Sequence, residues 1–137
     1  MSAQAFYRAL GLNGYDVIDC HETPDEISII VELPRHKWRC PECSSRRVQL
    51  HEWKFRRWLN APIGLKLTSV GMSVPRVKCL NCGARKRIPV KFAMERAQHT
   101  LAYERYAASL LQHMTPHDFA RREGIAWGTA AAIDQRR

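Results

Sequence analysis

The sequence predicts an α+β fold, with a small antiparallel β part in roughly the first two thirds of the chain and three helices in the last third. Three observations lead to this prediction. From Tyr15 to Lys91, runs of β-branched and aromatic residues alternate with turn residues. After Lys91, apolar residues recur at helical spacing. Between the strand-like runs, the pattern Cys-x-x-Cys occurs twice, as "CPEC" and "CLNC". We therefore expect three segments, residues 1–36, 37–92 and 93–137.

The first segment is expected to hold a short helix and a β-hairpin. Residues 3–10, "AQAFYRAL", favour a helix that ends at Gly11. The runs Tyr15 to Cys20 and Ile27 to Leu33 have the composition of strands. They flank "HETPDE", whose proline and aspartate are typical of turns, so the two runs should pair as a hairpin.

The second segment is expected to be built on two long strands. These are Val48 to Leu59 and Leu65 to Lys78, and the proline and glycine of "NAPIG" favour a turn between them. The stretch "RIPVKF" follows the second cysteine pair and predicts a short edge strand, where Pro89 would be tolerated.

The third segment shows a helical period with start and stop signals. "TLAYERYAASLLQHM" carries its apolar residues on one helical face, with Thr100 placed to cap the start; these residues are Tyr103, Ala107, Leu110, Leu111 and Met114. Thr115 and Pro116 predict the N-cap and first residue of a second helix, with Asp118 as a capping acid. Gly124 can end it in the left-handed conformation. A third helix should run from Trp127 to the end of the chain.

The four paired cysteines predict a zinc ribbon. Cys-x-x-Cys lets one tight turn present two sulfur atoms to one ion, and two such turns complete a closed tetrahedral Zn²⁺ site. We expect the ligands to be Cys40, Cys43, Cys79 and Cys82, brought together by the long antiparallel strands. A redox pair and two buried, unligated pairs are the alternatives. Cys20 is expected to be a small buried hydrophobic residue, and no histidine has a spacing that indicates a metal role.

Composition indicates a cytoplasmic protein with an anionic polymer as partner. The chain has 22 Lys plus Arg against 13 Asp plus Glu, a net charge of +9. Its start resembles no signal peptide, and no apolar run is long enough to span a membrane. Five cysteines in a reducing compartment fit metal binding better than disulfides.

A cluster of positive charge surrounds the predicted ribbon and indicates a phosphate-facing surface. Its members are Arg46, Arg47, Lys54, Arg56, Arg57, Lys78, Arg85, Lys86, Arg87 and Lys91. Trp53, Phe55 and Trp58 lie among these charges. We expect strand alternation to pack these three rings inward, and stacking on unpaired bases is the alternative.

The C-terminal "TPHDFARREGIAWGTAAAIDQRR" has the pattern of a helix-turn-helix. Ala120 is small where two helices would cross, Gly124 occupies the turn, and Ile125 and Ile133 are apolar. The exposed face toward a DNA major groove would then consist of Ala126, Trp127, Gly128, Thr129, Ala132 and Gln135. Arg121, Arg122, Arg136 and Arg137 would face phosphates. This face has few groups able to read bases, and Ala126 cannot cap the third helix through its side chain.

These motifs together resemble the N-terminal region of the ISL-three family of insertion-sequence transposases. The resemblance rests on "CPEC" followed by Ser44, Val48 and His51, and on "RRWLNAPIG", "VPRVKCLNC" and "YERYAASLLQHMT" with "FARREGIAWGTAAAI" downstream. It covers nearly the whole chain. Asn60, where an acidic residue is common in the family, and Ala126 depart from the pattern.

The resemblance implies a function in DNA recognition without catalysis. In that family, the zinc ribbon and helix-turn-helix recognise the terminal inverted repeats, and a separate acidic RNase-H-like domain performs strand transfer. The sequence stops at Arg137, before any such domain, so we expect no transposition chemistry from it. The leading hypothesis is sequence-specific binding of double-stranded DNA by the N-terminal region of a transposase, or by a short relative that could compete with the full-length transposase.

Two other functions remain open from the sequence. An RNA-binding zinc ribbon would use Trp53, Phe55 and Trp58 to stack on unpaired bases. A protein-interaction module would pair the edge of the N-terminal hairpin with that of a second copy, forming a homodimer with the helices packed between subunits.

Overall fold

A computed structural model describes residues 3–137 and shows the α+β fold that the sequence predicts. The elements in chain order are α1 (Ala3–Ala9), β1 (Asp16–Glu22), β2 (Glu26–Glu32), a short 3-10 helix (Arg35–Lys37), β3 (Val48–Ile63), β4 (Lys66–Cys79), β5 (Arg85–Arg87), α2 (Leu101–Leu111), α3 (Pro116–Glu123) and α4 (Trp127–Arg136).

The N-terminal hairpin forms as predicted. β1 pairs antiparallel with β2, and the hydroxyl of Thr23 accepts hydrogen bonds from the amides of Asp25 and Glu26 in the turn. These bonds satisfy backbone donors that a two-strand ladder leaves free at its end.

All the strands join in one sheet, which the sequence does not predict. β3 and β4 form a long antiparallel hairpin, and β2 pairs in parallel with the first half of β4, from Glu26 with Leu67 to Val31 with Met72. The strand order is β1-β2-β4-β3, with β5 on the second half of β4. The sheet therefore crosses the expected boundary at residue 36, and that boundary stays a prediction.

The prediction of an edge strand in "RIPVKF" is wrong in its position. β5 covers Arg85–Arg87 instead. The Ile88 amide still donates to the Pro75 carbonyl at 3.0 Å. The next residue, Pro89, has no N–H to continue the pairing, so the strand cannot extend through it.

One face of the sheet covers the main hydrophobic core. Trp58, Val70 and Met72 are buried there, together with Leu12 after α1 and Phe92 after β5. The rings of Trp58 and Phe92 meet edge to face, 4.9 Å between centroids. The prediction that the aromatic residues of β3 pack inward is confirmed for Trp58 alone.

Trp53 and Phe55 correct that prediction, because they are 54% and 50% exposed. Side chains alternate along a strand, so residues 53 and 55 lie on the face opposite Trp58. No helix of residues 3–137 covers these two rings, whereas Leu59, farther along the same face, packs against the buried residues of the C-terminal helices.

The three C-terminal helices share a second core, made by Tyr103, Phe119, Ala130 and Ile133. Their caps follow the sequence prediction: Thr100 accepts from the Tyr103 amide at 3.1 Å, and Thr115 accepts from the Asp118 amide at 3.1 Å. Gly124 ends α3 with φ of 70°.

A buried hydrogen bond joins the sheet to the helices. The Thr100 hydroxyl donates to Asn60 Oδ1 on β3 at 2.8 Å, and both residues are almost wholly buried. Beside it, the Leu59 amide donates to the Gln98 carbonyl, and the Thr100 amide donates to the Leu59 carbonyl. Asn60, which departs from the family pattern, is therefore a structural residue at this junction.

Candidate metal centre and nucleic-acid interface

The four paired cysteines converge at one end of the sheet. All four sulfur atoms lie within 4.8 Å of one another, with 3.6 Å between those of Cys40 and Cys82 and 3.5 Å between those of Cys43 and Cys79. A tetrahedron of sulfurs around Zn²⁺, each bond ~2.3 Å, places neighbouring sulfurs ~3.8 Å apart. The donor set and its spacing therefore fit one metal ion.

The two cysteine turns have the same backbone design. In the first, the Cys40 carbonyl accepts from the Ser44 amide at 2.9 Å; in the second, the Cys79 carbonyl accepts from the Gly83 amide at 3.1 Å. Ser44 and Gly83 both have a positive φ, 62° and 78°. The repeat in sequence thus corresponds to a repeat in structure, with serine in a conformation that favours glycine.

Amide groups inside the turns point at the sulfur atoms. The amides of Asn81 and Cys82 donate to Cys79 Sγ at 3.3 and 3.4 Å, and the Glu42 amide donates to Cys40 Sγ at 3.4 Å. Hydrogen bonds to the thiolate, that from the Cys82 amide first, lower the pKa of Cys79 to about 6.

The thiol of Cys82 is harder to deprotonate than that of Cys79. The backbone hydrogen bond from Ala84 lowers the pKa of Cys82, but burial and the other three cysteines outweigh it and raise that pKa to about 12. Several thiolates this close repel one another, and a cation at their centre removes the repulsion.

Cys20 lies outside this cluster, and the prediction that it is buried is wrong. It is exposed on β1, an edge strand whose side chains are mostly exposed on both faces. Side chains of β1 alternate between the two faces of the hairpin, but no element of residues 3–137 covers Cys20.

The second candidate site is the helix pair α3 and α4. The Ile125 amide donates to the Ala120 carbonyl across the turn at Gly124, and Phe119 and Ile133 are buried between the helices. Trp127 is exposed and its ring stacks on His117, 5.2 Å between centroids. The turn geometry and buried contacts are those of a helix-turn-helix.

The predicted DNA-contacting residues of the helices lie on the surface in different settings. Arg121 and Arg122 are exposed on α3, where Arg121 pairs with Asp118 at 2.6 Å. Gln135 is exposed, and Thr129 is half-buried. Arg136 pairs with Glu104 on α2 at 2.5 Å, which holds its guanidinium against α2.

The predicted contacts of the ribbon divide between two faces of the sheet. Lys54 and Arg56 share one face with Arg87 beside them, whereas Arg57 points to the opposite face. Arg46, Arg47, Arg85 and Lys86 are exposed near the cysteine turns, and Lys86 pairs with Glu42 of the first turn.

Two hollows link the ribbon to α4, and we call them together the basic groove. The first, about 420 Å³, is lined by Lys54, Arg56 and Arg87 and by the segments 88–90 and 93–96. The second, about 580 Å³, lies between the segment 94–99 and the α4 residues Gly128, Thr129, Ala132 and Arg136. Residues 94–96 line both hollows, so the two meet there.

Arg96 is the residue of this groove that sequence reasoning missed. It is exposed, lines both hollows and has φ of 66°, although it is not glycine. Its turn is closed by the Ala97 amide donating to the Met94 carbonyl, and Arg56 holds it by donating to the Ala97 carbonyl at 3.3 Å. The sequence contains no glycine or asparagine there to indicate a left-handed residue.

The fold and the two sites define a class of protein: a DNA-binding chain in which a four-cysteine ribbon is coupled to a helix-turn-helix. Comparison with family models confirms this class. Residues 36–82 match the zinc-finger of transposase IS204/IS1001/IS1096/IS1165, and residues 88–137 match the helix-turn-helix domain of transposase family ISL3.

The chain therefore carries the zinc ribbon and the helix-turn-helix of the ISL3 family of transposases, as the motifs predicted. No curated protein and no solved structure matches it. Among residues 3–137, no helix has the length and apolar character needed to cross a membrane.

Proposed function

We propose that this chain binds double-stranded DNA sequence-specifically, at the terminal inverted repeats of a transposable element, with Zn²⁺ in the four-cysteine site. The observation that carries the proposal is the basic groove, which joins the ribbon to α4. A helix-turn-helix places its second helix in the major groove, and cations beside that helix neutralise the flanking phosphates.

Zn²⁺ is the ion that the donor set favours. Four thiolates in a closed tetrahedron are typical of structural zinc, and such a site leaves no open position for a substrate. The ion would hold the two cysteine turns together and so fix the end of β3 and β4. Its role would be to make the ribbon rigid.

The residues of the groove support a model in which different parts of the chain contact the base edges and the phosphates. Trp127, Gly128, Thr129 and Gln135 of α4 offer few hydrogen-bonding groups to base edges, and none is an arginine able to form a fork with guanine. Lys54, Arg56, Arg87 and Arg96 offer charge. We infer that the ribbon and the turn at Arg96 contribute most of the phosphate contacts, and that DNA shape contributes to sequence preference.

A bandshift measurement tests the proposal. The zinc-loaded chain is titrated onto duplexes selected from a random pool, onto scrambled duplexes and onto the matching single strands, at two salt concentrations. We expect the selected duplex to bind at least ~1000-fold more tightly than the scrambled one, with affinity falling steeply as salt increases. Equal affinity for all the duplexes would refute sequence-specific recognition.

Two charge removals test the groove itself. Arg56→Ala and Arg96→Ala should each weaken binding to all duplexes and reduce the salt dependence by about one phosphate contact. Lys66→Ala is the matched control, because Lys66 lies at the far end of the β3–β4 hairpin and pairs with Glu22. If the control weakens binding as much as the groove variants, the groove is not the interface.

A further inference from the structure

An exposed aromatic ring lies at the start of α4. Within α2, α3 and α4, whose residues the structure describes, Trp127 is the only large apolar side chain that is exposed, at 52%. It is the first residue of α4, and Ala126 before it makes no capping hydrogen bond through its side chain. The ring is therefore accessible to a ligand that approaches this end of the helix.

His117 holds the ring in place. It lies in the first turn of α3, is itself exposed, and stacks on Trp127 with 27° between the ring planes and 5.2 Å between the centroids. Contact between the two rings restricts the side-chain torsions of Trp127 before any ligand binds, and this lowers the entropy cost of binding. The first turns of the two helices thus present one oriented aromatic pair.

The residues that follow Trp127 on α4 leave room around the ring. A Cβ atom on Gly128 would meet nothing within 4 Å. Thr129 is half-buried, the next three residues are alanines, and Ile133 is buried. From Trp127 to Ile133, only Trp127 therefore carries a side chain that is both long and exposed. The small residues let the helix approach a groove closely, with the indole extending beyond them.

The docking geometry of a helix-turn-helix brings this ring to the bases. The second helix lies in the major groove with its N-terminal residues at the base edges, and the first helix crosses the sugar-phosphate backbone. In that arrangement Trp127 lies at the base edges, and His117 lies on the backbone side of the ring.

The chemistry of an indole ring suits one base in particular. Thymine carries a C5-methyl group, which is the apolar group that base pairs display in the major groove. Indole has a broad apolar surface, one N–H donor and no acceptor. It cannot form the paired hydrogen bonds that identify guanine or adenine, but it can cover a methyl group.

We propose that Trp127 recognises a thymine of the target duplex by packing on its C5-methyl group, and that His117 is the residue that positions the ring. This proposal rests on the proposed binding of duplex DNA. It gives sequence preference to a helix that has few hydrogen-bonding groups. Cytosine at the same position would place its amino group against the apolar ring, where the amino group has no partner.

Uracil substitution in the selected duplex tests the proposal. Each thymine of the duplex selected from the random pool is replaced by uracil, one at a time, and the zinc-loaded chain is titrated onto each duplex in a bandshift. Uracil lacks only the methyl group and keeps its base pairing. At the thymine that meets Trp127 we expect a loss of roughly 4-fold in affinity, from the burial of one methyl group. With a C·G pair at that position, 5-methylcytosine should bind more tightly than cytosine by a similar factor.

Variants of the chain assign the effect to the aromatic pair. Trp127→Ala should weaken binding to the thymine duplex and abolish the difference between thymine and uracil. His117→Ala should reduce that difference, whereas His117→Phe should preserve it, because phenylalanine keeps a ring for stacking. Arg96→Ala is the control and should weaken binding to both duplexes equally, since a phosphate contact does not distinguish thymine from uracil. The circular dichroism of every variant should match that of the unaltered chain.

The outcomes separate this proposal from the proposed function. Equal affinity for every duplex of the pool overturns both. Selective binding that no uracil substitution weakens overturns the recognition of a methyl group and leaves duplex recognition intact, as does a thymine preference that survives Trp127→Ala. An undiminished preference in His117→Ala overturns the positioning role of His117.

Discussion

Among residues 3–137, two residues other than glycine adopt a backbone conformation that favours glycine, and each lies at a candidate site. Ser44 is in the first cysteine turn and Arg96 is where the two hollows of the basic groove meet. Left-handed backbone costs an ordinary residue about 1–2 kcal/mol. Strain of this kind persists where the surrounding structure holds it, commonly at functional sites. For Arg96, the surrounding turn is held by Arg56 and by the pairing of Gln98 with β3.

Replacing Arg96 by glycine should separate stability from binding. Arg96→Gly relieves the strain, whereas Arg96→Ala retains it, so the glycine variant should be more stable than the alanine variant by roughly 0.5–1 kcal/mol. Both variants should lose the same DNA affinity, because both lose the guanidinium. Urea unfolding and bandshift titration measure the two effects. Unequal DNA affinities would mean that the turn acts through its backbone shape.

Single residues also show the limit of sequence reasoning. The convergence of the four paired cysteines could be predicted, because a metal site dictates residue type and spacing. The exposed positions of Cys20, Trp53 and Phe55 could not, because alternation defines two faces of a strand without showing which one another element covers. Arg96 carried no signal of its conformation, since its turn is imposed by contacts with β3 that are distant in sequence.

Helix caps were the most predictable features at the scale of elements. Thr100, Thr115 and Gly124 all occupy the positions that their residue types indicate. Such signals are local, and the capping hydrogen bonds of these residues lie within four residues. The pairing of β2 with β4 was not predictable, because two parallel strands separated in sequence by the first cysteine turn and β3 share no local pattern.

The two N-cap threonines should differ in their contribution to stability. Thr115→Ala removes one exposed cap and should lower the free energy of unfolding by about 1 kcal/mol. Thr100→Ala removes a cap and also the buried hydroxyl that donates to Asn60, and should lower it by about 2–3 kcal/mol. Chemical unfolding of the two variants gives the comparison. Equal losses would show that the bond between β3 and α2 contributes nothing.

At the scale of the whole molecule, three cores lie at different distances from the candidate metal site. The smallest core contains two of the cysteines, with Trp38, Val48 and Val77, and lies next to the metal site. The core beneath the sheet shares β3 and β4 with it. The helical core is made by other residues and contacts the sheet mainly through Leu59 and the residues around Thr100.

Removing the metal should therefore unfold the β part before the helices. Zinc binding is worth ~10–16 kcal/mol in zinc-finger peptides, which is as large as a typical domain's whole stability. Chelation, or Cys79→Ser, should collapse the amide NMR dispersion of the sheet, while signals from α2 to α4 persist. Cys20→Ser is the control and should change nothing, because Cys20 is exposed and outside the cluster. Undiminished dispersion in the metal-free chain would contradict this dependence.

The parallel pairing of β2 with β4 also sets an order of assembly during synthesis. The β1–β2 hairpin leaves the ribosome before β3, yet the strand with which β2 pairs, β4, is made only after the whole of β3. Until then one edge of β2 has no neighbour, and unpaired edges promote aggregation of nascent chains. The six acids of the hairpin oppose that association while the chain waits for β4. The acidic residues of the hairpin would then limit aggregation of the nascent chain before β4 is available.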